Sequence, residues 1–128
     1  MVKKIESILL GSENAENLAK FYRETVGLKQ KSEFEMGENG EKVFEFDLDG
    51  AGLYISDHTE VKGKNTGPER IIINFEVDDI EKEAARLDGL KVTKKQDIYH
   101  VEGYGLIATF QDPDGNFFQF VQVSSNAN

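Results

Sequence analysis

The 128-residue sequence predicts an α+β fold built from two tandem βαβββ modules. Two observations carry the prediction. The pattern strand, helix, strand, strand, strand occurs twice, and the two copies align without a gap: Gly115 lies 65 positions after Gly50, and Asp114 and Glu81 lie the same distance after Asp49 and Glu16. The segment FQDPDGNFFQF, Phe110 to Phe120, then closes the second copy. Its centre, Asp112 to Asn116, gathers the strongest turn formers. Pro113 fixes φ, the Asp side chains bond nearby backbone, and Gly115 tolerates positive φ. Apolar flanks on both sides make it two strands joined by a tight turn. A βαβββ unit cannot bury both faces of its sheet alone, so two units are expected to pair into a cupped, half-open barrel around a cavity.

In the first module, Ile5 to Leu10 reads as a strand. Ser12, Glu13 and Asn14 are helix-start residues, and Leu18, Phe21, Tyr22 and Val26 follow at helical spacing until Gly27 stops the helix. Leu28 to Met36 is strand-like, Gly37 and Gly40 bracket a turn, and Lys42 to Leu48 alternates as a strand. Asp49-Gly50 is a hairpin signal before a short strand at Leu53 to Ser56. Module one is thus residues 1–57, residues 58–68 form a polar linker, and module two is residues 69–123 of a single domain covering 1–128. In the second module Ile71 to Val77 is a strand, and Asp78 with Glu81 suggests a capping box. Ile80, Ala84 and Leu87 form the buried stripe of a helix that ends at Gly89. Strands follow at Leu90 to Ile98, Tyr104 to Gln111 and Phe117 to Val123.

Composition removes several function classes. The net charge of −9 argues against nucleic acid as a partner and favours a cationic ligand through the long-range field. The absence of cysteine excludes disulfides, thiolate metal sites and thiol nucleophiles. No apolar run approaches a membrane span, and the short N-terminal run is interrupted by Glu6, so the expected compartment is the cytoplasm. The two histidines, His58 and His100, read as structural.

Strand alternation selects candidate lining residues. If Gln119 faces the cavity, so do Phe117 and Val121, while Phe118 and Phe120 pack under the helices. The same alternation puts Arg70, Ile72 and Asn74 on one face, and Ser7 with Leu9. Asn74 and Gln119 are then amides in a mostly apolar cavity, and Arg70 at its mouth suits a carboxylate or phosphonate. Tyr54, Tyr99, Tyr104, Phe44, Phe46, Phe110 and Phe117 are the aromatic candidates for its wall.

Three segments resemble the vicinal oxygen chelate superfamily of glyoxalases, bleomycin-resistance proteins and extradiol dioxygenases: SENAENLAKFYRETVGL from Ser12, FEVDDIEKEAARL from Phe75, and FQDPDGNFFQF. In that superfamily's metalloenzymes four side chains, on the first and last strand of each module, hold a divalent metal. Carried over, these positions are Ser7, Tyr54, Ile72 and Gln119. Ile72 cannot ligate, and neither imidazole nor carboxylate is among them, so no metal and no other cofactor is expected. The resemblance therefore implies a small-molecule binding protein of the glyoxalase/bleomycin-resistance type, a homodimer acting by drug sequestration rather than catalysis. Its candidate ligand-binding residues are Ser7, Leu9, Tyr54, Arg70, Ile72, Asn74, Phe117 and Gln119, and its ligand is cationic or aromatic. The alternative is a metal-dependent lyase, isomerase or dioxygenase of the same superfamily, with a divalent metal as cofactor.

Overall fold

The computed structural model describes residues 1–124. They form two compact units that divide between Gly63 and Lys64, inside the linker read from the sequence. Module one contains β1 (Ser7–Ser12), α1 (Ala15–Lys20), β2 (Lys29–Met36), β3 (Glu41–Asp47) and β4 (Gly52–Asp57). Module two contains β5 (Ile73–Glu76), α2 (Ile80–Gly89), β6 (Thr93–Val101), β7 (Gly105–Gln111) and β8 (Phe117–Val123). Each module is one four-stranded mixed sheet, ordered β1-β4-β3-β2 and β5-β8-β7-β6. In each, the first strand runs parallel to the last and the other pairs are antiparallel. The α+β class and the repeated βαβββ order follow the sequence, strand β8 to the residue.

Helix α1 starts at Asn14, whose side chain accepts from Asn17 N, and it continues as a π-helical segment from Phe21 to Val26. The wider winding shows in its hydrogen bonding: Gly27 N donates to Tyr22 O, five residues back. Gly27 then takes the left-handed conformation, φ 98°, that ends the helix. Helix α2 starts one residue later than the capping box implied. Asp79, not Asp78, is the cap, accepting from Lys82 N at 3.2 Å.

Each helix covers one face of its own sheet. In module one Ala15, Leu18, Ala19 and Tyr22 bury against Phe44, Phe46, Leu53 and Ile55. In module two Ile80, Ala84 and Leu87 bury on the same side as Phe110, Phe118 and Phe120, whose ring centroids lie 5.7 to 5.9 Å apart. Phe44, Phe46 and Phe110 are therefore core residues and not cavity wall.

A matched pair of hydrogen bonds fixes each helix on its sheet. Asp57, at the end of β4, accepts from Ala15 N at 2.8 Å and from Lys42 N at 3.0 Å. Gln122, near the end of β8, accepts from Ile80 N at 2.8 Å. Both side chains satisfy the first helical N–H, which has no partner within its helix. The DPDGN turn is knotted by Asp112, which accepts from Asp114 N and Asn116 N at 2.9 Å each, and it holds the linker through a 2.8 Å bond from Asn65 N to Asp114 O. Gly115 sits at φ 84° with Asn65 O 3.2 Å from where a Cβ would stand, so the turn requires glycine twice over.

Loss of these helix anchors should be measurable. Asp57→Ala is expected to lower stability by about 2 kcal/mol and Gln122→Ala by about 1 kcal/mol, in proportion to the backbone donors each leaves unpaired. Urea unfolding followed by circular dichroism checks this. Equal losses would mean that the second bond of Asp57 contributes nothing.

Candidate functional site

The sheet face opposite each helix carries a polar row. Register places Leu9, Tyr54, Glu45 and Ser32 side by side across module one. In module two it places Asn74, Gln119, Thr109 and Gln96 in the same order. Alternation turns these residues away from the buried Phe and Leu side chains of the adjacent positions.

Both rows are completed by a bulge. In module one the pairing shifts between Gln30 and Ser32, leaving Lys31 as the extra residue, and in module two it shifts between Lys94 and Gln96, leaving Lys95. A bulge lets two consecutive side chains point to one face. Lys31 and Ser32 accordingly both reach Glu45, the ammonium at 3.8 Å and the hydroxyl at 2.9 Å. A second shift, between Gln96 and Tyr99, brings Tyr99 to the open face of module two as well.

In module one the centre of the row is a closed network. Glu45 accepts from the Ser32 hydroxyl and from the Tyr54 hydroxyl, the latter at 3.0 Å. These bonds, Ser32 first and Tyr54 second, hold the Glu45 carboxyl below its ordinary value, with Lys31 adding to them. The bond to Glu45 pushes the Tyr54 phenol up in turn.

In module two the row opens into a recess of about 550 Å³ lined by Glu69, Ile72, Lys95, Gln96, Tyr99, Thr109, Phe117 and Gln119. Its floor is aromatic and aliphatic. Gln119, half-buried, donates to the Thr109 hydroxyl at 2.9 Å. The Lys95 ammonium lies 5.7 Å from the centre of the Phe117 ring. The recess holds one charge of each sign, Lys95 and Glu69, and so has no excess of acid to favour the cationic ligand that the net charge suggested.

Of the residues selected from sequence, Ile72, Phe117 and Gln119 meet in this recess, joined by the aromatic candidate Tyr99. Ile72 does so from the loop before β5, since that strand begins only at Ile73. Arg70 is exposed on the same loop and does not line the recess. Asn74 is exposed, not an amide in an apolar cavity, although its register partner is Gln119. Val121 is buried, and Tyr104 lies outside the recess. Ser7 and Tyr54 are half-buried and Leu9 is 61% exposed on module one. Sequence reading missed Glu45, Ser32, Lys95, Gln96 and Thr109. No glycine or proline marks either bulge, so the sequence carries no signal for which residues of β2 and β6 share a face.

The carried-over metal positions do not fit a divalent ion. Ile72 has no donor atom, the Tyr54 hydroxyl donates to Glu45, and Gln119 Nε2 donates to the Thr109 hydroxyl, leaving its amide oxygen as a single neutral donor with no imidazole or carboxylate beside it. Among the described residues no three His, Cys, Asp or Glu side chains gather to hold a metal. His58 and His100 are both exposed, and His58 Nδ1 accepts from Glu60 N.

The model of the Glyoxalase/Bleomycin resistance protein/Dioxygenase superfamily matches residues 4–120. The chain belongs to that superfamily. No curated protein matches the sequence significantly. Solved structures share the fold of this superfamily member across nearly its whole length. An antibiotic binding protein, TnmS3 from Streptomyces sp. CB03234, is 22% identical with a TM-score of 0.73, covering 96% of this chain and 98% of its own. A glyoxalase family protein from Enterococcus faecalis is 21% identical with a TM-score of 0.74, over 94% and 98%. The fosfomycin resistance protein FosX from Listeria monocytogenes is 16% identical with a TM-score of 0.73, over 99% and 97%. No helix among the described residues is long and apolar enough to cross a membrane.

The Glu45 network gives a signed pH prediction. Its carboxyl is depressed in the folded state, so its contribution to stability is present above the unfolded value and is lost as pH falls through the folded one. Glu45→Gln is therefore expected to destabilise module one at about pH 7 and to have little effect at about pH 3, by urea unfolding at both. Tyr54→Phe removes one donor and should raise the Glu45 titration toward 4.5, read from its side-chain carbon shift by NMR. An unmoved titration would show that the Tyr54 bond does not hold the carboxylate.

Proposed function

We propose that this superfamily member binds a small molecule in the recess on the open face of module two, without a protein-held metal, and acts by sequestration. The observation that carries the reading is the composition of that recess. Ile72, Phe117 and Tyr99 give it an apolar and aromatic wall, while Gln119, Thr109 and Gln96 offer hydrogen-bonding groups that orient a ligand. A volume of about 550 Å³ is the size that small-molecule sites take. An aromatic ligand suits the wall. TnmS3, an antibiotic binding protein, supports the binding of a small molecule as a task this fold can perform. The fold itself does not select it, because one architecture hosts unrelated chemistries.

The metal-dependent lyase, isomerase or dioxygenase reading requires several imidazole or carboxylate donors, and Ile72 offers no donor, the Tyr54 hydroxyl donates to Glu45, and Gln119 offers one neutral amide oxygen. We further propose a cytoplasmic homodimer. Phe34 and Met36, 40% and 56% exposed on the edge strand β2, are apolar surface that supports association with a second copy.

Titration calorimetry of chelator-treated protein with nickel, zinc, manganese and, anaerobically, iron(II) is expected to give no specific site at micromolar metal. One tight site per chain would reinstate the enzyme reading. A fluorescence or NMR screen with aromatic compounds is expected to find ligands whose affinity drops about tenfold or more in Phe117→Ala and Gln119→Ala. Unchanged affinity in both would place binding elsewhere. Light scattering should give twice the chain mass, and a monomer would remove the dimer proposal.

A further inference from the structure

The two rows keep hydrogen-bond donors at matching positions but differ in their acceptor, and that difference bears on the chemistry of a ligand. In module one, Lys31, Ser32 and Tyr54 converge on the carboxylate of Glu45. By register and bulge each has an equivalent position in the sheet of module two: Lys95 for Lys31, Gln96 for Ser32, Gln119 for Tyr54, and Thr109 for Glu45. All three donors of module one are matched by donors in module two. The acceptor is not, because a neutral hydroxyl stands where the carboxylate stood.

Lys95 consequently has no counter-ion within its own row. Its neighbour Lys94 takes the nearby acids, Asp88 at 3.0 Å and Asp97 at 3.3 Å. Lys95 forms no ion pair among the described residues and rests over the Phe117 ring at 5.7 Å. Thr109 Oγ1 accepts from Gln119, which leaves its own hydroxyl proton to donate. Gln96 adds an amide to the lining of the recess. Where module one is filled by its own side chain, module two leaves a recess.

We infer that the ligand of this recess carries a carboxylate-class anion, seated against Lys95, Thr109 and Gln96 in the place that the Glu45 carboxylate holds in module one, with its aromatic part against Phe117, Tyr99 and Ile72. The inference rests on the small-molecule reading above and names the ligand class. It reverses the sign that a net charge of −9 suggests. The local ammonium decides, because a direct charge-assisted hydrogen bond at short range outweighs charges more than a Debye length away, which salt screens. Glu69 lines the recess from the loop before β5 and is the one acid there, so its removal favours the anion further.

The test is a pair of probes of matched shape, naphthoate and the neutral naphthalenemethanol, titrated into isotope-labelled full-length protein and followed by amide shifts. Both are expected to move Tyr99, Thr109, Phe117 and Gln119, with naphthoate binding about tenfold more tightly and losing that margin in Lys95→Gln. Lys94→Gln, whose ammonium is already paired, should leave both affinities unchanged, and Glu69→Gln should strengthen naphthoate alone. Thr109→Glu supplies the internal carboxylate and should abolish naphthoate binding, with a folded amide spectrum as the control. Equal affinity for the two probes, or a naphthoate affinity that survives Lys95→Gln, overturns the anion assignment while the recess stands. Failure of both probes to shift these residues overturns the recess reading itself.

Discussion

The first free N–H of each helix is caught by a side chain from the strand that closes the same module: Asp57 for Ala15 and Gln122 for Ile80. The rest of each module depends on this constraint. It docks the helix N-terminus at one end of the last strand, and that strand runs parallel to the first and holds the centre of the sheet. With the helix fixed on one face, every second residue of the central strands is committed to the core. The alternate residues are left for the opposite face. The two residues catching the helices are 65 positions apart, and so are the two N–H groups they catch, so the repeat in sequence is also a repeat of this hydrogen bond.

On that common scaffold the open faces have diverged. A bulge presenting a lysine occurs in both modules, and module two adds a second shift in β6 that brings Tyr99 to the open face. One module answers its lysine with a carboxylate and a closed network, and the other answers with a hydroxyl and a recess. A fully satisfied polar network rigidifies its sheet, whereas donors left without an acceptor are groups a ligand can satisfy.

Membership of the glyoxalase/bleomycin resistance protein/dioxygenase superfamily accounts for the architecture but leaves the chemistry to individual side chains. Here these side chains are aliphatic, aromatic, amide and hydroxyl at positions where a metal would need imidazole or carboxylate. The recess in module two holds a lysine facing an aromatic ring, within a chain whose surface is mostly acidic. Global charge describes the field far from the protein, and a single ammonium beside the ligand governs what is held at short range.

The sequence by itself determined the α+β class, the two βαβββ modules, the superfamily and the core stripe of α2. These depend on local periodicity and turn chemistry, which a linear pattern records directly. It also located Phe117 and Gln119, because the DPDGN turn fixes the phase of β8 and alternation does the rest. Only the tertiary structure decided that Lys95, Gln96 and Tyr99 share the face of Gln119, that Glu45 is enclosed by Ser32 and Tyr54, and that Asn74 and Arg70 stand outside the recess. The reason is physical. A bulge shifts the side-chain phase of a strand by one residue, and no particular amino acid is needed to make it. Cross-strand partners are likewise set by pairing between segments distant in sequence, so which donor meets which acceptor is settled only when the sheet has formed.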